Sequence, residues 1–463
     1  MSLAADLRSA GVTLVREPGD TGYDQAVAGF DTGTLVTPDV VVDARSDADV
    51  AAAVAVASDQ GRVVTVLGAG HGRLQQLEGG LAITVRGLDT VEVDVAARTA
   101  RIGAGCTWGP VLAAATPHGL APVCGSAPGV GVAGYMLGGG LGPLASALGF
   151  SSDFVRSIDV VTPADGLLAV TTDSHADLFR ALRGGKGGFG VVTSLTVDLP
   201  ALADVIGGGL YFAAADVADV VHAYAQWAPA LPESSTTSVA LLRLPTSPAL
   251  PEQIRGKHVV HVRFASLDSA AAAETQLVDL RDVARPLLDT VGVLPYAQLG
   301  SIHGDPADQM PVANGAAPLS ALAPATVDAI LAADDLAADF PLSSVEIRTL
   351  GAATRVAPTD GDSVGGRGTA HLLNVYAAPV PRLSDAQRLA AARMVLDAVE
   401  PWRAPVNLVN FVGRANGRDA VVGSWTSEQN DRLDAERAHR DPDGLFPFAR
   451  HASADGSLEG GRS

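Results

Sequence analysis

From Ile102 to Ser152 the chain carries no Asp, Glu, Lys or Arg, and glycine is dense throughout. A run this long without charge either crosses a membrane, lies buried, or wraps a ligand. A spanning helix needs about 20 consecutive apolar, helix-compatible residues. Gly134, Gly138 and Gly142 do form overlapping GxxxG patterns of the kind that pack membrane helices. Yet Pro110, Pro117, Pro122, Pro128 and Pro143 interrupt the run, and a broken helix leaves backbone polar groups unsatisfied in lipid. The run therefore predicts a buried loop-and-strand region that encloses a ligand.

The rest of the composition narrows the ligand. The chain has 463 residues, enough for two or three domains with substantial cores. Its formal net charge of -19 repels phosphate backbones and anionic lipid, so neither nucleic acid nor a membrane is an expected partner. Cys106 and Cys124 are too few for a disulfide framework and have no metal-ligand spacing. The opening MSLAADLRSAG lacks a basic segment followed by an apolar one, so the expected location is the cytoplasm.

Short strand and helix signals alternate over residues 1–200. A lead-in with one helix occupies 1–31. An extended LVTPDVVVDAR follows, then a helix from Ser46 or Asp47 to Gly61. VVTVLGAGHG reads as a strand and turn, TWGPVLAAATPHG as a helix, and 158–170 as a hairpin around Pro163-Ala164-Asp165-Gly166. SHADLFRALRGG reads as a short helix capped by Ser174, and GFGVVTSLTVDL as a strand. Residues 201–404 alternate longer strands with alanine-rich helices, one of them running from Leu267 to about Val291. That pattern predicts an antiparallel sheet with helices on one face. From 405 onward the chain reads as polar and turn-rich, with its last dozen residues disordered.

Gly129-Val-Gly131-Val-Ala-Gly134 matches G-x-G-x-x-G, but a dinucleotide site of the Rossmann kind needs a strand before it and a helix after it. APVCGSAP and YMLGGGLG supply neither. Glycine clusters also occur at Gly68–Gly72 and Gly184–Gly190. Without Cβ atoms, consecutive N–H groups can turn into an anion-holding concavity. One cluster is an ordinary turn, whereas three favour a large ligand with a pyrophosphate and a planar ring threaded between them. The histidines are less informative. His258 and His261 lie three apart on a predicted strand, so they point to opposite faces and share no metal. No metal site is expected.

In order, VLGAGHG, GAGCTWGPVL, HGLAPVCGSAPGVGVAGYMLGGGLGPLASALGFSSD, VVTPADG and DLFRALRGGKGGFGVVTSLTV resemble the FAD-binding domain of the vanillyl-alcohol oxidase / p-cresol methylhydroxylase (PCMH) type. Within that superfamily the chain is similar to the berberine bridge enzyme-like oxidoreductases. NLVNF (407–411) and RDPDGLFPF (440–448) resemble that group's closing segment, and EIRTLGAA (346–353) gives a weaker match. The resemblance implies an α+β fold. A two-lobed PCMH-type FAD-binding domain would be built from both chain ends, 1–200 and 405–463. A central substrate domain, 201–404, would roof the flavin with a seven-stranded antiparallel sheet.

The resemblance also assigns roles. His71 would bond covalently to the flavin 8α-methyl carbon, which needs a neutral imidazole nitrogen as nucleophile. Gly68, Ala69, Gly70, Gly72 and Arg73 would hold the cofactor around it. Ala127, Pro128, Gly129, Val130, Gly131, Gly134 and Tyr135 would form the next stretch of the site. Gly138, Gly139, Gly140 and Gly142 would continue it, with Gly190, Val191, Val192 and Asn410 completing it. Some relatives carry a second link through a cysteine before Pro-x-Val-Gly-Val. Here that place is Ala127, and Cys124 is three residues early, so one tether is expected. The family often has arginine at Leu67 and asparagine at Gly188, beside Lys186, and Tyr-x-Asn-Tyr where this chain has Leu408-Val409-Asn410-Phe411. Asn410 could still bond the flavin edge, but the familiar phenol is gone.

The implied reaction is hydride transfer from a small alcohol, sugar or secondary-metabolite intermediate to the flavin, with O2 or another acceptor reoxidising it. A flavin-holding enzyme of non-redox cyclisation is the alternative. Catalytic candidates on the roof are Glu346 and Arg348, which are i and i+2 on one strand and so share a face, and Tyr376.

Overall fold

The computed structural model describes residues 2–447 apart from 75, 338–341, 378 and 381. The expected disorder of the last dozen residues lies outside the described residues.

Three sheets organise the chain. The first orders its strands Val15–Arg16, Val40–Asp43, Leu81–Thr84 and Val64–Leu67, the last three mutually parallel. Helix Asp47–Asp59 makes the crossover between two of them. Ser46 Oγ accepts from the Asp49 N–H, and Val50, Ala53, Val54 and Ala57 give the helix one buried stripe. The second sheet is antiparallel, ordered Gly166–Val170, Val155–Thr162, Val191–Asp198, Thr99–Gly103 and Val91–Asp94. Both sheets share one core with Trp108, Phe179, Phe189, Trp425 and Phe446. The returning C-terminal segment joins the first sheet directly, where the Val64 N–H donates to the Leu445 carbonyl at 2.7 Å.

The third sheet is antiparallel throughout and carries helices Val217–Trp227, Ala270–Val283, Pro324–Leu336 and Asp385–Ala398 over one apolar face. Among the described residues it has eight strands rather than seven. Leu288–Asp289 and Gly292–Pro295 both pair with Asp204–Ala213, on either side of Gly208. The predicted helix from Leu267 stops at Val283, because Pro286 cannot continue it and biases the residue before it toward extended backbone.

Other expectations need correction. The lead-in holds two helices, Leu3–Ser9 and Tyr23–Val27. Helix Ala176–Leu182 is preceded by His175 in the left-handed region with no side-chain cap, because Ser174 belongs to the turn before it. The turn-rich tail contains a 14-residue helix, Ser427–Arg440, begun by a capping box between Thr426 and Gln429.

Candidate functional site

Strand Val64–Leu67 ends in a turn pressed against residues 27–31. The Phe30 N–H donates to the Ala69 carbonyl at 2.9 Å, and the Phe30 ring stacks on His71 at 4.0 Å. Gly70 has φ +81°, and a Cβ there would sit 2.7 Å from the Gly29 Cα, so only glycine fits. Gly68 and Gly72 differ: a Cβ on either would meet nothing. His71 is half-buried and its Nδ1 has no hydrogen-bond partner. Burial lowers its pKa to about 4 against the opposing charge of Asp305, so the imidazole is neutral.

Arg73 is turned away from this space. Its guanidinium donates to the Val27 and Ala28 carbonyls at 2.8 and 3.0 Å and so fastens the turn. Arg86, which has no sequence motif, does the same from the other side by donating to Gly68 O, Gln25 O and Ala28 O. Leu67 is also explained. It is buried with Tyr23, Ala26, Val36, Val41 and Ala82, where a guanidinium would have no partner.

The floor is the charge-free run. The Val130 N–H closes a turn on Ala127 O, Pro128 O accepts from Gly109, Val130 O from Trp108, and Val132 donates to Cys106 O. Gly131 packs on Ala69, which joins this loop to the histidine turn. Gly129 and Gly134 face open space as Gly68 and Gly72 do. The remaining glycines serve packing instead. A Cβ on Gly138 would strike Asn410, on Gly142 the Cys124 carbonyl, and on Gly190 the Val161 carbonyl. Gly139 and Gly140 take φ +94° and +79°. Val191 and Val192 are buried at the start of a central strand. Tyr135 is half-buried, edge-on to Trp108 at 5.8 Å, and its carbonyl accepts from Asn410 Nδ2 at 2.7 Å. Asn410 Oδ1 accepts from Lys186 Nζ at 2.5 Å. Both ends of the Asn410 amide are thus engaged within the protein rather than left for a ligand edge.

The third sheet presents a polar face opposite its helices. Register places His261 and Arg263 beside Ala240 and Ser238, these beside Glu346 and Arg348, and these beside Asn374 and Leu372. Glu346, 3% exposed, accepts from Ser238 Oγ at 2.8 Å, from Arg348 Nε at 2.9 Å and from Arg263, with His303 Nε2 3.5 Å away. Desolvation opposes its charge, but Arg348 and Arg263 hold it well below the usual carboxylate range. It is ionised and saturated with donors, which suits a buttress rather than a base. Arg348 reaches over the Phe411 ring at 5.2 Å, where roof meets floor.

Tyr376 shares this face and is 39% exposed, the most open of the three roof candidates. Burial and then Asp305 raise its phenol, while Arg348 lowers it. Asp305 is the residue that sequence reasoning missed. Its charge is felt at His71, Arg348 and Tyr376, and its Oδ2 accepts from Ser126 Oγ at 2.5 Å. It thus acts on both His71 and the roof residues Arg348 and Tyr376, from an irregular loop that carried no motif. Arg263 was within reach of the strand period, two residues from His261. His258 points the other way, toward Asp334, as its spacing predicted.

A cavity of about 1060 Å³ lies elsewhere, between helices Ala176–Leu182 and Ser427–Arg440 and residues 361–369. It contains none of these groups. Among the described residues no cluster of His, Cys, Asp or Glu could hold a metal, and no helix is long and apolar enough to cross a membrane.

Comparison with known proteins agrees with this geometry. Residues 38–172 match a family described as "FAD binding domain". The FAD-dependent monooxygenase FUP4 of Fusarium proliferatum is 38% identical over 185 residues, 38% of this chain and 36% of that one. The (R)-6-hydroxynicotine oxidase of Paenarthrobacter nicotinovorans is 28% identical over 305 residues, 62% of each chain. The chain thus spans less than two thirds of the length of these curated relatives. The structure of Physcomitrella patens BBE-like 1 superposes over 98% of this chain and 100% of that one, with a TM-score of 0.84 at 18% identity. A glycine turn with a neutral histidine, open space above four glycines, and a polar roof fit a flat dinucleotide flavin. Residues 38–172 thus match an FAD-binding domain, and the described chain shares the fold of the berberine bridge enzyme-like structure.

Proposed function

We propose that the protein is an FAD-dependent oxidoreductase, an oxidase or dehydrogenase, that oxidises a small alcohol, sugar or secondary-metabolite intermediate. The observation that carries this reading is the neutral His71, its Nδ1 without a hydrogen-bond partner, in a turn whose flanking Gly68 and Gly72 face open space. Bound FAD would supply the acceptor for a hydride and would pass the electron pair to O2 or another acceptor. The FAD-binding domain would comprise 1–200 and 405–463, and the substrate domain 201–404.

The chain's own residues then divide the work. His71 tethers the cofactor as a neutral nucleophile. It is the single tether, because Ala127 has no sulfur and burial pushes the Cys124 thiol to about 12 and the Cys106 thiol to about 11. Glu346 orients Arg348 and Arg263, and Arg348 binds a substrate oxygen. Tyr376 hydrogen-bonds the substrate, and Asp305 takes the proton from its O–H or N–H. Both cysteines are free and buried, which supports a cytoplasmic location. The relatives named above are an oxidase and a monooxygenase, which favours redox chemistry over a non-redox cyclisation.

The test is a purified yellow protein whose flavin bleaches with candidate substrates under anaerobic conditions. Product without any flavin spectral change would favour the cyclase, and a protein without flavin would end both readings. Acid precipitation and mass measurement of the His71 peptide test the tether.

A further inference from the structure

We propose that Lys186 is the cation set against the negative charge that a bound flavin gains on accepting a hydride. This rests on the flavoprotein reading above. Lys186 stands in the Gly184–Gly190 loop with φ +69°, a left-handed backbone region that strains a side-chain-bearing residue. Glycine would fit there without strain, so the lysine side chain has a use. Its Nζ lies 2.6 Å from Gly134 O and 2.5 Å from Asn410 Oδ1. Both partners are neutral, and among the described residues no carboxylate lies within ion-pair distance of it. Lys186 is half-buried, and an ammonium partly removed from water with only neutral partners favours the arrival of an anion. Burial accordingly lowers its pKa to about 8.

Its surroundings say which anion. Gly134, whose carbonyl it touches, faces open space. Asn410 precedes Phe411, over which Arg348 of the roof lies. The ammonium is therefore at the junction of floor and roof, where a reacting ring would lie. Behind the loop, Arg437 donates to the Gly185 and Gly187 carbonyls and pairs with Asp434, which fixes the loop from the far side. In the proposed reaction a substrate C–H bond breaks, and its hydrogen and electron pair pass to the ring. The substrate's O–H or N–H proton passes to the base, and the ring keeps one negative charge until the acceptor removes the electron pair. Lys186 offsets that charge.

The experiment compares holoprotein carrying Lys186→Met or Lys186→Gln with wild type and Lys186→Arg. Two readouts need no turnover: the flavin midpoint potential, and the dissociation constant of the sulfite adduct, which places the same charge on the ring. The neutral variants should weaken sulfite binding at least ten-fold. They should also lower the potential by about 30 mV or more, the equivalent of ten-fold for a two-electron couple. Lys186→Arg should stay near wild type. Unchanged constants in a flavin-loaded neutral variant would overturn the inference while leaving the flavoprotein reading intact. Loss of flavin from both neutral variants, with retention by Lys186→Arg, would also overturn it, since holding the cofactor would then account for the lysine. A wild-type protein without flavin would instead overturn the reading on which it rests.

Discussion

At His71 the decisive quantity is charge. A solvated imidazole is half protonated near pH 6.5, whereas burial keeps this one neutral down to about 4. Covalent attachment of added FAD to apoprotein should therefore be flat between about pH 5.5 and 8. A decline centred near pH 6.5 would mean that the nucleophile is solvated. His71→Ala should leave flavin that acid precipitation releases in full. Glu346 has the opposite linkage. Its folded pKa lies well below the ordinary 4.5, so its contribution to stability is present above that value and is lost as pH falls through the folded one. Glu346→Gln strands Arg263 and Arg348 in a buried site and should destabilise the fold by about 3–5 kcal/mol in denaturant titration. A loss within 1 kcal/mol would show that the network relaxes or admits water.

At the scale of elements, the turn that carries His71 is fixed by what surrounds it. Gly70→Ala must force a side chain into a left-handed backbone and onto Gly29, and should lower stability by roughly 1–3 kcal/mol together with flavin content. Gly72→Ala meets no atom and is expected to fold normally. The pair separates glycines that packing requires from glycines that leave room. This distinction was not legible in the sequence, where GAGHG looks uniform. Helix Asp47–Asp59 was legible because cap, alanine content and stop agree locally. Helix Ser427–Arg440 was legible in principle, since Thr426-x-x-Gln429 is a capping box, but its polar composition masked a buried face made of Leu433, Arg437 and Arg440. The Leu288–Asp289 and Gly292–Pro295 strands could not be seen, because their pairing with one distant strand is a tertiary fact.

For the whole molecule, the motifs around His71 pointed to the superfamily and the period-2 pattern to the roof face of Glu346 and Arg348. What they could not give was the meeting of the two halves. Asp305 matters because its loop meets Ser126 of the floor, 179 positions away in sequence. Asp305→Asn should reduce kcat/KM by about 10²–10⁴-fold with the flavin spectrum retained. A loss below ten-fold would return the base to another group.

The hydrogen bond between Val64 and the Leu445 carbonyl sets a schedule as well as a shape. The strand that presents the histidine turn is synthesised early, and its edge partner arrives about 380 residues later, roughly 20–80 s at ribosomal speed. Through that interval the turn hangs from an unfinished sheet edge. On the proposed tethering, attachment at His71 would await Leu445, so FAD would have to be available to a chain whose first sheet already has its edge partner.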